Sequence, residues 1–283
     1  MDLQSTIDNI NKKSDLNNSK RDGDYYDEKG LLMCGKCHTR KQVEITLFDK
    51  VRRPYCLCKC EKEKRDAVEA AFKRAEKERK IAEMKITAFP KEEREKMEKY
   101  TFANDDMSNE RITQAMQNYV DNFAELKKQG KGLLLYGTCG TGKTYAACEI
   151  ANALIEKGYT VKATNFSRVL NDLQGTFEKQ EYIDGFSRYN LLVIDDLGIE
   201  RNTEYAKEQV YNIIDSRYRA GLPMIITTNL TIDKIKNPED MENIRIYDRI
   251  LERCFPIEVT GSNRRRRSVR ESYTDMKELL GLE

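Results

Sequence analysis

The feature that most constrains this chain is the octapeptide at residues 137–144, Gly-Thr-Cys-Gly-Thr-Gly-Lys-Thr. It fits the pattern G-x-x-x-x-G-K-[ST] and lies between the apolar run Leu133–Tyr136 and a stretch with helical spacing of apolar residues, the order that a phosphate-binding loop requires. Gly137, Gly140 and Gly142 allow the backbone to curl so that successive N–H groups face an anion, and the following helix presents its positive end to the same point. A nucleoside triphosphate is therefore the expected ligand.

The side chains of this loop match the needs of a triphosphate and its metal ion. The Lys143 ammonium group would reach the β- and γ-phosphates, and the Thr144 hydroxyl would hold a Mg²⁺ ion. The loop residues predicted to contact the nucleotide are Gly137, Thr138, Cys139, Gly140, Thr141, Gly142, Lys143 and Thr144.

Length and composition narrow the remaining possibilities. With 283 residues the chain is long enough for one full core and a smaller module. A net charge of +2 with 35% charged residues does not by itself indicate a nucleic-acid binder. No apolar run approaches the length of a membrane span, and the first residues lack the order of a signal peptide. We therefore expect a cytoplasmic protein with no membrane partner.

The chain divides into four predicted segments. Residues 1–30 are polar and predict a disordered tail, residues 31–62 hold five of the eight cysteines, and residues 63–100 carry many charges of both signs. A thin apolar stripe in the third segment predicts an amphipathic helix, interrupted near Phe89 and Pro90. This helix is either a solvated spacer or a docking surface for a partner protein. The stripe consists of Val68, Ala71, Phe72, Ala75, Ala82 and Ile86.

The fourth segment, residues 101–283, alternates between strand and helix patterns. This alternation predicts an α/β fold with a parallel sheet covered by helices on both faces. The predicted strands are 132–136, 159–163, 191–194, 224–227 and 257–259. The predicted helices are 110–128, one after the phosphate-binding loop, one capped by Ser167, 203–219 and 243–254.

Two carboxylates and an amide come directly after predicted strands. Because open parallel sheets bind ligands at the carboxyl ends of their strands, Asp195 is a candidate Mg²⁺ ligand, direct or indirect, and Asp196 could polarise an attacking water. Neighbouring strand residues face opposite ways, so the two acids need not share a role. Asn229 could hold the same water or contact the γ-phosphate, or it could form an Asx turn.

Three arginines recur every four residues on the last predicted helix. Arg245, Arg249 and Arg253 therefore lie on one face. A positive charge brought to the γ-phosphate would stabilise the transition state. The spacing leaves open whether these arginines face the nucleotide of their own chain, that of a neighbour, or water.

Together these segments resemble the DnaC/IstB-like AAA+ ATPases, and within them most of all the bacterial replicative helicase loaders in the form carried by phages and mobile elements. The resemblance spans residues 102–267. It rests on the phosphate-binding loop and on Leu191–Gly198, Thr203–Tyr205, Ile214–Arg219 and Ile226–Leu230. It implies ATP hydrolysis in an oligomer of this chain, with a replicative helicase and single-stranded DNA as partners.

The resemblance also implies roles for individual residues. Asp195 is then the magnesium-side acid, Asp196 the catalytic base and Asn229 the first sensor, while Arg249 acts on the ATP of the next subunit. Many AAA+ ATPases have Asp-Glu where this chain has Asp195 and Asp196. The shorter acid is usual in loaders of this kind and is compatible with slow, switch-like hydrolysis.

The clustered cysteines predict a zinc site rather than disulfides, because thiols of a cytoplasmic chain stay reduced. Four ligands complete a zinc tetrahedron. We expect Cys34 and Cys37 with two of the later three cysteines, either Cys56 and Cys58 or Cys58 and Cys60, and His38 is a further candidate. An iron–sulfur or redox site is the alternative. By the resemblance, this module grips the helicase. The other cysteines, Cys139, Cys148 and Cys254, are interpreted as buried or incidental thiols.

Two more segments are candidate nucleic-acid contacts. Arg264–Arg267 with Arg270 could bind phosphate backbones, include a second nucleotide sensor, as the resemblance implies, or form a solvated tail. Residues 164–186 mix aromatic and basic side chains in a manner that suits single-stranded DNA, although aromatic residues at such spacing more often belong to a core. The side chains concerned are Phe166, Arg168, Lys179, Tyr182, Phe186 and Arg188.

The sequence therefore predicts an ATPase that loads or assists a replicative helicase, with ATP, Mg²⁺ and Zn²⁺ as cofactors. One alternative is a transposition helper of the IstB kind, which would bind duplex DNA and a transposase. Another is a regulatory adaptor that binds ATP without hydrolysing it.

Overall fold

The computed structural model describes residues 20–47, 49–198, 203–238, 240–261, 263, 273, 276–277 and 279–281. The chain divides into two compact units, residues 1–79 and 80–283. A long helix, α1 (Lys59–Ala88), crosses this division. Within the described ranges, no helix has both the length and the apolar character needed to cross a membrane.

The first unit contains two small hairpins. Strand β1 (Tyr25–Tyr26) pairs antiparallel with β2 (Leu32–Met33), and β3 (Ile45–Leu47) pairs antiparallel with β4 (Lys50–Arg52). Strand β1 lies within the segment that the sequence analysis assigned to a disordered tail, so the folded module begins earlier than predicted. Residues 1–19 of that tail lie outside the described residues.

A buried ion pair explains why the folded module starts before residue 30. Lys41 Nζ lies 2.7 Å from Asp24 Oδ2, and both side chains are at most 5% exposed. The hydrogen bond from the Lys41 ammonium group lowers the pKa of Asp24 to about 2. The other Asp24 oxygen accepts the Gly35 N–H at 3.1 Å. A Cβ at Gly35 would lie 2.0 Å from the Gly23 carbonyl oxygen, so this turn admits only glycine.

The second unit is organised around a five-stranded parallel sheet. The strands are β5 (Gly132–Tyr136), β6 (Val161–Asn165), β7 (Leu191–Leu197), β8 (Met224–Thr228) and β9 (Cys254–Glu258). Their order in the sheet is β6-β7-β8-β5-β9, and the predicted α/β fold is confirmed.

Helices cover both faces of this sheet, and each face has its own core. Successive strand residues alternate between the faces, so Leu133 and Leu135 enter one core and Leu134 enters the other. The first core includes residues of α2 (Arg94–Glu98), α3 (Glu110–Asp121), α4 (Phe123–Lys128) and α5 (Lys143–Glu156). The second includes residues of α6 (Phe166–Gly175), α7 (Lys179–Gly185), α8 (Glu204–Arg219), α9 (Ile232–Lys236) and α10 (Met241–Arg253).

Side-chain caps set where two of these helices begin. Asn165 accepts the Arg168 N–H at 2.8 Å, so α6 starts at Phe166 and the predicted cap at Ser167 is wrong. Both residue types cap helices well, and the end of β6 decides which of them stands at the boundary. Thr203 accepts the Ala206 N–H at 3.2 Å and caps α8 as predicted.

The predicted linker extends too far along the chain. Helix α1 ends at Ala88, directly before the predicted break. Ala88, Phe89 and Met97 are buried in the first core, so residues 80–99 belong to the second unit. Earlier on α1, Val68 is 71% and Phe72 is 69% exposed. This exposure agrees with both interpretations of that stretch, a solvated spacer and a docking surface for a partner protein.

Candidate functional site

The phosphate-binding loop connects β5 to α5 at the carboxyl edge of the sheet. Gly137, Gly140 and Gly142 have φ values of 143°, 84° and 101°, which residues with a Cβ rarely adopt. A Cβ at Gly137 would lie 2.6 Å from the Val259 carbonyl oxygen, and one at Gly140 would lie 2.3 Å from Asn263 Oδ1. Backbone conformation therefore favours glycine at all three positions, and at Gly137 the close approach of the Val259 main chain requires it as well.

Hydrogen bonds hold the tip of this loop. Thr141 Oγ1 donates to the Thr138 carbonyl oxygen at 3.0 Å. The Asn263 side-chain amide donates to the Cys139 carbonyl oxygen at 3.2 Å. The Cys139 thiol itself is exposed, whereas Cys148 and Cys254 are buried.

Lys143 and Asn229 meet beside the loop. Lys143 Nζ donates to the carbonyl oxygens of Gly137 at 2.9 Å and Thr138 at 2.8 Å. It also donates to Asn229 Oδ1 at 2.7 Å. Asn229 directly follows β8, the strand next to β5 in the sheet. The structure thus brings together a loop cation and an amide that lie far apart in the sequence.

Asp195 lies among hydroxyl groups at the end of β7. Thr144 Oγ1 is 2.9 Å from both carboxylate oxygens, and Thr227 Oγ1 donates to Asp195 Oδ1. Burial raises the pKa of the Asp195 carboxyl, and the two threonine hydroxyls oppose this rise. Hydroxyl and carboxylate oxygens suit Mg²⁺, so Thr144 and Asp195 fit this ion.

Thr227 is a candidate site residue that the sequence analysis missed. Its side chain is fully buried on β8, and it links the two acids by also accepting the Asp196 N–H at 3.0 Å. The available signal was the pair of threonines that ends an otherwise apolar strand, directly before Asn229.

Asp196 departs from regular strand geometry. Its φ is 61°, and the pairing of β7 with β8 shifts register between Ile194 and Leu197. The alternation that separated Asp195 from Asp196 in the sequence analysis therefore does not apply, because a β-bulge changes the direction of the chain at this point. Such a backbone costs on the order of 1–3 kcal/mol for a residue other than glycine and clusters at functional sites.

Arg249 is held within its own chain. Its Nε lies 2.8 Å from Asp215 Oδ1, and its guanidinium group lies 4.6 Å from the centroid of the Tyr211 ring. Both partners lie on α8, so Arg249 packs between α8 and α10. Arg245, one turn earlier, is exposed and forms no ion pair within the part of the chain that the structure describes.

The aromatic residues of segment 164–186 fall into two groups. Phe166 and Phe186 are buried in the second core, which agrees with the core interpretation. Tyr182 packs edge-on against Phe186. Phe177, between α6 and α7, is instead fully exposed, and the sequence analysis did not single it out. In the sequence, Phe177 could have been recognised as an aromatic residue within a polar turn. Arg264–Arg267 and Arg270 lie outside the described residues.

The first unit gathers four cysteine sulfur atoms within 4.8 Å of one another. These belong to Cys34, Cys37, Cys58 and Cys60. Cys60 Sγ lies 3.7 Å from Cys34 Sγ and 3.4 Å from Cys58 Sγ. A tetrahedron with Zn–S bonds of about 2.3 Å has sulfur atoms about 3.8 Å apart. The donor set therefore fits one zinc ion.

Cys56 and His38 lie outside this cluster. Cys56 Sγ contacts the Arg40 carbonyl oxygen at 3.6 Å, and His38 Nδ1 is 3.2 Å from the Tyr25 hydroxyl. Of the two ligand pairs that the sequence left open, the geometry selects Cys58 with Cys60. The physical reason is that α1 begins at Lys59 and its first turn brings these two sulfurs together, whereas Cys56 is still held by a backbone bond to Lys41.

Comparison with known proteins places the second unit among ATP-binding proteins. Residues 64–272 match the family of IstB-like ATP binding proteins. The replicative helicase loader DnaI of Bacillus subtilis is 29% identical over 165 residues, which cover 54% of this chain and 53% of that protein. A putative ATP-binding protein in an insertion sequence of Mycobacterium tuberculosis is 27% identical over 145 residues, which cover 49% of this chain and 57% of that protein.

A solved structure supports the same assignment. The crystal structure of DnaI aligns with a TM-score of 0.52 at 25% identity and covers 64% of this chain and 98% of that chain. The chain spans about half the length of these curated relatives. The matched family region contains the phosphate-binding loop, Asp195 and Asn229, and the predicted AAA+ P-loop fold is confirmed. Since the family match extends over most of its length, this chain belongs to the IstB-like ATP-binding protein family.

Proposed function

We propose that this protein is an ATP-dependent helicase loader that acts in DNA replication. The observation that carries the proposal is the convergence of two pairs, Lys143 with Asn229 and Thr144 with Asp195, at the carboxyl edge of one sheet. This arrangement suits a triphosphate and its Mg²⁺ ion. Membership of an ATP-binding family supports ATP as the nucleotide, and similarity to the loader DnaI supports a role in replication.

Each residue of the site has a task in ATP hydrolysis. The N–H groups of the loop and Lys143 bind the phosphates and offset their charge. Thr144 and Asp195 would hold Mg²⁺, which when bound supplies further charge neutralisation at the phosphate oxygens. Asp196 orients the attacking water and accepts its proton, and Asn229 positions that water or the γ-phosphate. The short Asp196 side chain favours slow, switch-like turnover.

Measuring ATP turnover tests this assignment. We expect Asp196→Asn to retain ATP binding and to lose turnover by about 100-fold or more, the usual contribution of a general base. The matched control is Asp233→Asn, which removes an exposed charge on α9. Unchanged turnover in Asp196→Asn would contradict the role of Asp196. ATP binding by the unaltered chain without any turnover would favour the adaptor alternative.

The proposal includes an oligomer in which Arg249 acts on the ATP of a neighbouring copy. Mixing Arg249→Ala with Lys143→Ala protein should then restore part of the activity, because one interface in the mixture combines an intact loop with an intact arginine. The variant Asp215→Asn distinguishes the action of Arg249 on a neighbouring ATP from its packing within its own chain. It weakens the ion pair of Arg249 with Asp215 but keeps the arginine. Absence of complementation at every mixing ratio would count against a role in trans.

Helicase docking is assigned to the first unit. Strands β3 and β4 are exposed along their whole length. In their register Ile45 lies opposite Arg52 and Leu47 opposite Lys50, which forms an apolar and basic face suited to a partner protein. The full chain with Leu47→Asp should lose retention of a hexameric helicase. Thr46→Asp, on the opposite face, should not; equal retention by both variants would contradict docking through this face.

Binding of single-stranded DNA is assigned to the turn that carries Phe177. Its exposed ring is free to stack on a base, a contact that contributes about 1–3 kcal/mol. Phe177→Ala should therefore weaken binding of an oligothymidylate by about tenfold. Phe255→Ala, which removes another exposed ring, is the control. Equal effects of the two substitutions would refute a specific role of Phe177.

The alternative is a transposition helper, which is favoured by the similarity to the insertion-sequence protein. A helper of this kind should bind duplex DNA more tightly than single strands and should not retain a helicase. Parallel binding measurements with a duplex and a single strand of the same sequence distinguish the two functions.

A further inference from the structure

An open groove of about 720 Å³ runs along the outer edge of the sheet in the second unit. Its lining includes Lys162, Ala163 and Thr164, three successive residues of β6. The side chains of successive strand residues point to opposite faces of the sheet, so a groove on one face would not be lined by all three. The groove therefore runs along the edge of β6. Strand β6 is terminal in the sheet, and no described strand pairs with its outer side. None of the residues assigned to the nucleotide site lines the groove.

The lining carries more basic than acidic side chains. The basic residues are Lys91, Arg94, Lys162, Arg168 and Arg188, and the acids are Asp172, Glu178 and Glu181. Arg168 is paired with Glu92 at 2.8 Å, and Asp172 accepts the Tyr182 hydroxyl at 2.7 Å. Among the residues that the structure describes, the other four basic side chains form no close ion pair with a carboxylate. With five basic and three acidic side chains in its lining, the groove carries net positive charge.

Three of these four cations lie along one wall. Lys91 and Arg94 belong to the segment 86–94, and Lys162 Nζ donates to the Thr87 carbonyl oxygen of the same segment at 3.0 Å. Arg94 Nη2 donates to the Ile86 carbonyl oxygen at 2.6 Å. These bonds hold Arg94 and Lys162 on one wall, where their positive charges attract an anionic group.

The aromatic residues of the groove do not suit base stacking, which needs open ring faces. Phe89 and Phe186 are buried. The Tyr182 ring packs against Phe186 with 5.4 Å between ring centroids, and its hydroxyl is engaged by Asp172. Among the described lining residues, Tyr182 and Tyr189 are the half-exposed aromatic side chains, and Tyr182 is already held by Phe186 and Asp172. An open strand edge, in contrast, offers N–H and C=O groups at the spacing of a peptide backbone.

We infer that this groove binds an extended acidic peptide of a partner protein, which adds to the sheet as a strand beside β6. The main-chain groups of the β6 edge provide the affinity that is independent of sequence, and the unpaired cations select acidic side chains. Side chains of the added strand alternate, so acids at every second position would face the same wall. This site is separate from helicase docking by the first unit and does not depend on it.

The test uses the full chain and a fluorescein-labelled peptide of alternating Asp and Val, followed by fluorescence anisotropy. We expect binding that weakens with added salt, because the contacts are partly exposed charges. The double variant Lys91→Gln with Arg188→Gln removes two exposed cations of the groove and should weaken binding about tenfold or more, as for hydrogen bonds to charged groups. The matched control, Lys234→Gln with Lys236→Gln, makes the same charge change on α9 and should bind normally.

Two further probes decide between modes of binding. A peptide of alternating Asn and Val should bind more weakly, and an Asp-Val peptide N-methylated at alternate residues should lose binding, because methylation removes the donors that a strand needs. Equal binding of the methylated peptide, equal effects of the two double variants, or absence of peptide binding would overturn the inference. Displacement of the peptide by oligothymidylate, with the same sensitivity to Lys91→Gln and Arg188→Gln, would assign the groove to nucleic acid and overturn it as well.

Discussion

Thr227 holds the two acids at the sheet edge in their relative positions. Its hydroxyl donates to the Asp195 carboxylate and accepts the Asp196 N–H at 3.0 Å. Replacement of Thr227 by Val preserves the shape of the side chain and removes both bonds. We expect Asp195 to lose a donor that stabilises its charge, and Asp196 to lose the bond that holds its left-handed backbone.

The two lost hydrogen bonds set the expected loss of stability in Thr227→Val. A hydrogen bond to a charged group contributes about 1.5–3 kcal/mol and one between neutral groups about 0.5–1.5 kcal/mol, so the free energy of unfolding should fall by about 2–4 kcal/mol. Loss of a group that orients a metal ligand typically lowers activity about 10–100-fold, which we expect for ATP turnover of Thr227→Val.

The pH dependence has a defined sign. Burial already raises the pKa of Asp195, and Thr227 opposes this rise. Removing a donor to the charged form raises this pKa further. Because turnover needs the carboxylate, the activity of Thr227→Val should be lost at a higher pH than that of the unaltered protein as the solution is acidified.

The adjacent Thr228 provides the matched control. It is equally buried on β8, but its hydroxyl donates to the Leu197 carbonyl oxygen at 2.7 Å and accepts the Leu230 N–H at 3.1 Å. Thr228→Val should therefore lose stability without the specific loss of turnover. ATP turnover against pH and urea unfolding measure the two effects. Equal losses of turnover in both variants, or an unshifted acid limb in Thr227→Val, would refute the reasoning.

Three further substitutions test the framework of the two units. Arg217 is 1% exposed and donates to main-chain carbonyl oxygens directly before β7 and β8, so Arg217→Met should lower the free energy of unfolding by about 3–5 kcal/mol. Arg219→Met, at a side chain that is 75% exposed, should change it by at most about 0.5 kcal/mol, and similar values in urea unfolding would contradict this role of Arg217. Asp24→Asn leaves Lys41 buried without its counter-charge, which costs about 3–5 kcal/mol and should weaken zinc retention against a chelator. The pKa of Asp24 is lowered from 3.8 to about 2. The stabilisation of the folded state by this carboxylate is therefore fully present above pH 3.8, and it is lost as the pH falls towards 2. Gly35→Ala should also release zinc, and metal analysis of the unaltered chain that finds iron or no metal would reject the zinc site.

Much of the fold could be predicted because it depends on residues close together in the chain. The glycines of the phosphate-binding loop, the apolar strand before it and the helix after it form one continuous segment, and β5 has the bounds that the sequence predicted. Apolar periodicity likewise separates strands from helices. Local patterns define the boundaries of these elements less closely. At the start of α6, Asn165 and Ser167 are both suitable caps, and the end of β6 selects the first.

The cysteine module shows where local spacing stops being sufficient. Cys34 and Cys37 are brought together by one tight turn, and their spacing identifies them. Cys56, Cys58 and Cys60 are equivalent by spacing alone. The start of α1 decides among them, because its first turn directs Cys60 to the cluster that Cys56 does not reach.

By itself, the sequence determined the parallel α/β architecture, the phosphate-binding loop and the presence of acids and an amide after the strands, since local backbone and side-chain chemistry encode them. Only the tertiary structure decided which distant groups meet. Strand order places Asn229 on Lys143, the bulge in β7 places Thr227 between the two acids, and the packing of α8 on α10 places Arg249 on Asp215. These contacts depend on the register and packing of elements far apart in the chain, which no local pattern specifies.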